Sequence, residues 1–336
     1  MTSPRLPERL IGGTSVSAIG LGCFSMSGIA GMTEVYGAVD LNEARRTIAH
    51  ALDCGVSLLD TAEAYGPFHN EELIGSVLAG RSSLPFIATK FGFRYEGSLP
   101  VAVDSRPDSI RAACEGSLKR LGVERIDLFY QHRVDPSVPI EEVVGTLGAL
   151  RDEGKIGFAG LSELGPRTLT RAIAEGPVDA VQTEYSLWER GVEADILPLC
   201  AAHDIAFVAY SPLGRGFLTG QVPASSALDK TDYRHQDPRF DADNHAANLA
   251  IVETLNQIGA ELGASPAQVA LAWLLHSHER VIAIPGTKRR DRVEENIQAA
   301  FVSLSADQMD RLDKAAPAGQ TAGARYNAFN MSMVGL

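Results

Sequence analysis

Four polar residues of complementary chemistry lie at or just beyond the ends of short apolar runs that predict β-strands. Asp60 ends VSLLD, Lys90 ends FIATK and His132 ends IDLFYQH, while Tyr65 lies one turn beyond Asp60. A buried lysine ammonium needs a carboxylate partner, because an uncompensated buried charge costs several kcal/mol. If the strands are parallel neighbours, Asp60 supplies that partner and the four side chains form one site on one rim of the sheet.

This combination predicts proton transfer to an oxygen. An ammonium held beside Tyr65 favours tyrosinate, so we expect the pKa of this phenol to be lowered towards the range of a general acid. His132 can donate a hydrogen bond to the oxygen that Tyr65 protonates. Because no metal-ligand spacing is visible, a nicotinamide hydride is the natural source of electrons. Singly, each residue has a structural alternative, such as a helix cap, a packing aromatic, a solvated lysine or a buried histidine.

The elements that position these residues alternate along the chain. Short β-branched runs are separated by helix-length amphipathic segments, a pattern that forces parallel pairing through crossover helices. Eight such units close a barrel, so we expect a (β/α)8 TIM barrel with its site at the carboxyl ends of the strands. The predicted strands span 17–22, 56–60, 86–90, 126–132, 157–162, 179–185, 206–210 and 281–284.

Several segments lie outside this eightfold plan. RLIGGTSVS predicts an N-terminal β-hairpin that caps the barrel bottom. The polar stretch from Ser211 to about His245 is too long for an ordinary loop and is expected to be functional. Residues 265–279 and 304–315 predict extra C-terminal helices, the second with a capping signal at Ser305.

Length and composition favour one domain and exclude several function classes. We expect a single domain over 1–336, with a core over about 8–315 and a tail over 316–336 near the barrel mouth. With 42 acidic and 30 basic residues, the net charge is −12 and the cations are scattered, which argues against nucleic-acid and membrane partners. The start predicts no signal sequence and no apolar run is long enough to span a membrane, so we expect a cytoplasmic protein. The four cysteines show no metal-ligand spacing and predict reduced packing thiols, although Cys23 could line the site.

A phosphate site is predicted after the eighth strand. The usual G-x-G-x-x-G fingerprint is absent, because GLGCFS lacks the third glycine and the following helix. The turn IPGTKRRDR instead clusters Lys288, Arg289, Arg290 and Arg292 at a helix start, which suits the 2′-phosphate of NADP. A solvated basic helix start is the alternative. After the seventh strand, the backbone of the Gly-rich strip YSPLGRG can follow a pyrophosphate while Tyr210 stacks on a flat ring.

These stretches together resemble the aldo-keto reductases. The similarity runs from about Ile19 to Leu312 through GLGCFSMSG, LLDTAEAYGPFHNEELIG, IATKFG, SLKRLGVERIDLFYQHR, GKIGFAGLSE, QTEYSLWER, AYSPLGRGFLTG and IPGTKRRDRVEENI. Within the family, the chain is most similar to the branch of perakine reductase and the auxin-induced reductase-like proteins. The resemblance implies NADPH-dependent carbonyl reduction, with Tyr65 as acid, Lys90 as its pKa partner, Asp60 as the anchor of Lys90 and His132 as the orienting donor.

The resemblance also implies a set of contacts to NADPH or NADP+. The carboxamide would be held by Ser162 and Gln182, the nicotinamide ring by Tyr210, the pyrophosphate by Ser211, Leu213, Gly214 and Arg215, the 2′-phosphate by Thr287, Lys288 and Arg292, and the adenine by Glu295 and Asn296. In one departure, Glu163 follows Ser162 where many members have asparagine.

Substrate class is predicted from candidate pocket walls. Phe24, Met26, Phe93 and Trp188 follow the strands and favour an apolar or aromatic aldehyde as the small-molecule partner, with core packing as the alternative for each. Two further hypotheses remain open. The chain could be a non-catalytic NADPH-sensing partner subunit of the same fold, or a barrel lyase or aldolase that uses Lys90 as a Schiff base.

Overall fold

A computed structural model describes residues 5–27, 35–97 and 99–336. The strands are β1 (Glu8–Ile11), β2 (Thr14–Ser17), β3 (Leu21–Gly22), β4 (Leu58–Asp60), β5 (Phe86–Phe91), β6 (Phe93–Glu96), β7 (Leu99–Val103), β8 (Ile126–Gln131), β9 (Ile156–Ser162), β10 (Ala180–Glu184), β11 (Ala206–Tyr210) and β12 (Val281–Ala283). The helices are α1 (Leu41–Asp53), α2 (His69–Leu78), α3 (Pro107–Leu121), α4 (Ile140–Asp152), α5 (Pro166–Glu175), α6 (Ile196–Ala202), α7 (Ala242–Leu262), α8 (Pro266–Ser277), α9 (Arg290–Gln298), α10 (Ala306–Ala315) and α11 (Ala328–Met331).

The predicted barrel is confirmed. Eight strands form one sheet in the order β3-β4-β5-β8-β9-β10-β11-β12, and every neighbouring pair is parallel. The two edges meet where Ile19 bridges to Ala283 and the Gly20 amide donates to the Ala283 carbonyl at 2.8 Å. All eight sequence-predicted strands are present, and the first is shorter than expected because regular pairing begins only at Leu21.

Side-chain alternation divides the apolar residues between two layers. In the barrel interior, Leu58, Leu128 and Val208 pack in one buried cluster, while their neighbours in sequence face the surrounding helices. The predicted hairpin β1-β2 is present and antiparallel, and its Ile11 and Val16 pack against the interior cluster. The hairpin therefore closes the amino-terminal end of the barrel and leaves the carboxyl end to the site.

The extra C-terminal helices are also present. α8 and α10 each begin with a capping box, at Ser265 and Ser305, in which the serine hydroxyl accepts from the amide three residues on. The features that were not predicted include the hairpin β6-β7 inserted after β5, the short helix α11 in the tail, and a series of short 3-10 turns within the long stretch that follows β11. Within the described ranges, no single helix combines the length and apolarity of a membrane span; α7 and α8 reach them only jointly, bent by 93°.

Candidate active site

The carboxyl ends of three adjacent strands bring the four predicted catalytic residues together. The Lys90 ammonium donates to Asp60 Oδ1 at 2.5 Å, to the Thr61 carbonyl at 2.8 Å and to the Tyr65 hydroxyl at 3.3 Å. The predicted Lys90 and Asp60 pair is thus confirmed, and it is almost fully buried, with side-chain exposures of 1% and 4%. The ammonium is fixed between a carboxylate and a phenol.

The charges of this cluster oppose the effect of burial. Burial acts to lower the pKa of Lys90, but Asp60 and Tyr65 outweigh it, and the net pKa is raised. For Tyr65, burial raises the pKa of the phenol and exceeds the lowering effect of Lys90. The expectation of a lowered Tyr65 pKa is therefore wrong in its net direction, although Lys90 does act in the expected sense. A protonated phenol beside an ammonium whose pKa is raised is suited to donate a proton.

The His132 ring lies edge-on to that of Tyr65, with centroids 5.9 Å apart, and also edge-on to Phe93. Its backbone amide donates to the Phe91 carbonyl at 2.8 Å, which ties the residue to the end of β5. Burial, followed by the charges of Arg133 and Lys90, holds the pKa of His132 well below 6.5. At neutral pH the imidazole is uncharged, and it makes no side-chain hydrogen bond to another described residue.

A cavity of about 730 Å³ extends from these residues to the amino-terminal end of α9. Asp60, Tyr65 and His132 line it, whereas Lys90 lies behind them. Its volume is in the usual range of small-molecule sites. The described residues contain no group of His, Cys, Asp or Glu side chains that could hold a metal ion.

Most of the predicted cofactor residues line this cavity. The lining includes Ser162, Gln182, Tyr210, Ser211, Leu213, Arg215, Thr287, Lys288, Arg292, Glu295 and Asn296. Gly214 lies behind the wall, where an added Cβ would be 2.6 Å from the Trp188 ring. Gln182 donates to Asp60 Oδ2 at 2.7 Å, so it also orients the carboxylate that holds Lys90. With the exception of Gly214, the predicted cofactor residues thus line one continuous cavity.

The basic residues between 288 and 292 do not all face the cavity. Lys288, Arg289 and Arg292 line the cavity, but Arg290 points away and pairs with Glu43 on α1 at 2.9 Å. The Lys288 ammonium donates to the carbonyls of 36, 37 and 38, at 3.0, 2.7 and 2.6 Å. Arg290 is therefore excluded as a cavity cation, although in sequence it is indistinguishable from its neighbours.

Two charged residues, Arg215 in the strip after β11 and Glu163 after β9, have an unusual backbone conformation. Arg215 and Glu163 have left-handed backbones, with φ of 54° and 58°. Asparagine adopts this conformation more readily than glutamate. Glu163 is held there by Arg325 and by the Tyr210 hydroxyl, which donates to its Oε1 at 2.7 Å. Tyr210 in turn contacts the Tyr326 hydroxyl at 2.8 Å, so the departure at 163 couples the cofactor wall to the C-terminal tail.

Of the four residues predicted to form the substrate pocket, two line the cavity and two do not. Phe24 and Phe93 line the cavity beside Tyr65. Met26 and Trp188 have no exposed surface and are not among the described residues that line the cavity; Trp188 stacks on Phe217 in the core. Cys23 is likewise fully buried and outside the described lining. These three side chains pack in the core, because each belongs to the main hydrophobic cluster.

Several lining residues were not named from the sequence. The tail was expected near the barrel mouth and the stretch after β11 was expected to be functional, but their individual lining residues were not identified, and the loop before α1, the strand β7 and the position after His132 were not considered. The residues are Tyr36, Val101, Val103, Arg133, Tyr233, Arg234, Tyr326, Phe329, Asn330 and Met333. The alternation around Gly97 in FRYEGSLPVAV is a hairpin signal that could have identified β7. Arg133 could have been found because it directly follows a predicted strand-end residue.

Comparisons with known proteins agree with this arrangement. The Aldo/keto reductase family model matches residues 18–317. The chain belongs to this family. It is 42% identical over 324 residues to a probable aldo-keto reductase 1 of Glycine max, a match that covers 94% of the chain and 89% of the relative. As a family member, it is an NADP-dependent oxidoreductase that acts on aldehydes and ketones.

Solved structures of family members have the same fold. The glycerol dehydrogenase of Gluconobacter oxydans is 33% identical with a TM-score of 0.84, over 92% of this chain and 94% of that one. An aldo-keto reductase of Klebsiella pneumoniae, solved in complex with NADPH, is 25% identical with a TM-score of 0.73, over 97% and 99% of the two chains.

Proposed function

We propose that the protein reduces aldehydes or ketones to alcohols with NADPH, and that Tyr65 is the general acid. The observation that carries the proposal is the Lys90 ammonium, fixed between Asp60 and the Tyr65 hydroxyl at 2.5 and 3.3 Å behind the wall of the cavity. A bound NADPH supplies the hydride. Tyr65 then donates its proton to the developing alkoxide, and Lys90 stabilises the tyrosinate that remains.

The neutral His132 ring is suited to orient the carbonyl oxygen towards Tyr65. It lies against the Tyr65 ring, lines the cavity and has no competing side-chain partner among the described residues. Gln182 and Asp60 hold the ammonium in place from the other side. A proton donor, its electrostatic partner and an orienting donor are therefore preorganised before substrate binds.

The cavity fits a dinucleotide with a 2′-phosphate. Ser162 and Gln182 lie near the catalytic residues, while Arg289 and Arg292 line the cavity at the start of α9. The amino-terminal amides of α9 add to the attraction for an anion. Successive left-handed residues at 214–216 turn backbone amides into a concave strip that suits a pyrophosphate. We assign the nicotinamide end to Ser162, Gln182 and Tyr210, and the phosphate end to α9.

The apolar rim supports aromatic or apolar aldehydes as substrates. Phe24 and Phe93 pack beside Tyr65, and Phe329 and Met333 of the tail add apolar surface to the cavity wall. We further propose a cytoplasmic location and membership of the branch that includes perakine reductase. A Schiff-base role for Lys90 is disfavoured, because its raised pKa keeps the amine protonated and unreactive.

The test combines nucleotide binding with turnover. Fluorescence titrations with NADPH and NADH are followed by NADPH oxidation with 4-nitrobenzaldehyde, on wild type and Tyr65→Phe. We expect tighter binding of NADPH, and loss of turnover with retained binding in the variant. Tight binding without turnover across an aldehyde panel would instead support the NADPH-sensing subunit, and absence of nucleotide binding would refute both.

A further inference from the structure

Arg133 places a cation at the substrate end of the cavity, directly after His132. Its Nη1 donates to the His132 carbonyl at 2.7 Å, which holds the half-buried side chain at the wall. In the part of the chain that the structure describes, the guanidinium makes no other hydrogen bond and no ion pair. A guanidinium carries five N–H donors, so most of them have no partner among the described residues and are available at the cavity that Arg133 lines.

The other cavity arginines differ in this respect. Arg215 pairs with Glu184 and Asp237, each at 2.7 Å, and Arg234 pairs with Asp232 at 2.6 Å. The remaining cavity cations lie at the start of α9, where the 2′-phosphate accounts for them. Among the described residues that line the cavity, Arg133 is thus the arginine for which neither a protein carboxylate nor the proposed cofactor position provides a partner.

The acid that interacts with the Arg133 charge already has other partners. Glu163 receives two hydrogen bonds from Arg325 and one from the Tyr210 hydroxyl. Through its charge, Arg133 helps to lower the pKa of Glu163 and His132, and opposes the burial that raises the pKa of Tyr65. These effects place the Arg133 charge close to the proton donor and to the orienting histidine.

We propose that Arg133 binds a carboxylate group of the substrate, so that the preferred substrates are aldehydes or ketones that also carry an acid. The planar guanidinium matches a carboxylate through two parallel hydrogen bonds. With the carbonyl at Tyr65 and His132, the acid group would lie at the adjacent Arg133. The rings of Phe24 and Phe93 would then enclose the carbon skeleton between them. This inference rests on the proposed reductase function.

The test compares substrates that differ in charge and little in shape. Values of kcat and KM are measured with NADPH for 3- and 4-carboxybenzaldehyde and for the isosteric 3- and 4-formylbenzamide. For wild type, we expect kcat/KM to favour at least one acid over its amide by about 10- to 100-fold, mainly through KM. Arg133→Gln should lose this preference while it still reduces the amides. Arg94→Gln removes an exposed cation of β6 outside the cavity and should keep the preference.

Further outcomes decide between the proposal and its alternatives. Equal kcat/KM for acid and amide in wild type would overturn it, as would an equal loss for both in Arg133→Gln. A higher NADPH dissociation constant in that variant would assign Arg133 to the cofactor instead. If Arg133→Gln does not fold, Arg133→Lys and competitive inhibition of wild type by benzoate against benzamide replace it, and the proposal requires benzoate to bind more tightly. Lack of NADPH oxidation with every aldehyde would instead refute the proposed function.

Discussion

The ion pair between Arg325 and Glu163 attaches the C-terminal tail to the barrel rim, and Arg325→Gln should release the tail. Arg325 Nη2 lies 2.5 Å from Glu163 Oε2, and the two side chains are 12% and 1% exposed. Removing one partner of a buried pair costs about 3–5 kcal/mol, because the other charge is left uncompensated. The Tyr210 hydroxyl still donates to Glu163, which places the expected loss near the lower limit.

The free energy lost with this ion pair is comparable with the free energy that the other contacts of the tail contribute. Within 325–336, the Gly335 amide donates to the Glu163 carbonyl at 2.8 Å and the Gly165 amide donates to the Leu336 carbonyl at 2.7 Å. Three more hydrogen bonds join Arg215 to the Arg325 carbonyl, Tyr210 to Tyr326 and Asn330 to Tyr233. These five bonds contribute about 2–8 kcal/mol in total. The tail should therefore open locally while the barrel, which buries its own core, stays folded.

Hydrogen exchange with mass spectrometry and steady-state kinetics check this prediction. In Arg325→Gln, amides in 325–336 should exchange about 100-fold faster. KM for an aldehyde should rise more than kcat falls, because Tyr326, Phe329 and Met333 leave the cavity wall while Tyr65 is untouched. Unchanged exchange together with an unchanged KM would refute the reasoning. Lys314→Gln removes one partner of an exposed pair with Asp310 and should change neither quantity.

The same pair predicts how tail docking depends on pH. Burial acts to raise the pKa of Glu163, but Arg325, Arg133 and Tyr210 outweigh it, so the pKa is lowered from 4.5. A lowered carboxyl pKa gives stability that is present above the unfolded value and is lost as the pH falls through the folded value. Protection of 325–336, corrected for intrinsic exchange, should thus be retained from pH 8 to 5 and be lost only below 4.5. Loss of protection already near pH 6 would contradict this assignment.

Three further predictions concern the catalytic and cofactor residues. Tyr65→Phe should lower kcat/KM for an aldehyde by about 100- to 10,000-fold with an unchanged NADPH dissociation constant, and near-normal turnover would remove its role as acid. Lys90→Met leaves Asp60 buried without its counter-charge and should lower the free energy of unfolding in urea by about 3–5 kcal/mol, whereas an unchanged midpoint would show that the pair is not needed for stability. Arg292→Gln should weaken NADPH binding far more than NADH binding, and Arg290→Gln should affect neither, because its side chain pairs with α1 outside the cavity; equal effects of the two changes would contradict the division of the basic cluster.

The barrel and the rim that carries the catalytic residues could be predicted because both follow from local patterns. Alternation of apolar strands and amphipathic helices forces parallel pairing, and parallel strands place Asp60, Lys90 and His132 at one edge. Lysine at the end of an otherwise apolar strand also required a nearby carboxylate, which identified Asp60. These conclusions depend on residue type and on position within an element, and the sequence contains both.

Tertiary structure decided what depends on packing between distant segments. Arg325 lies 162 residues from Glu163, so no local pattern could pair them or show how a glutamate is held in a left-handed conformation. Burial reversed the expected direction of the Tyr65 pKa, because desolvation depends on everything packed around a phenol. Burial also removed Trp188 from the cavity wall, and helix orientation turned Arg290 away from it. The periodicity of the sequence shows which face of a helix or strand is apolar, whereas only the folded structure determines which residues that face contacts.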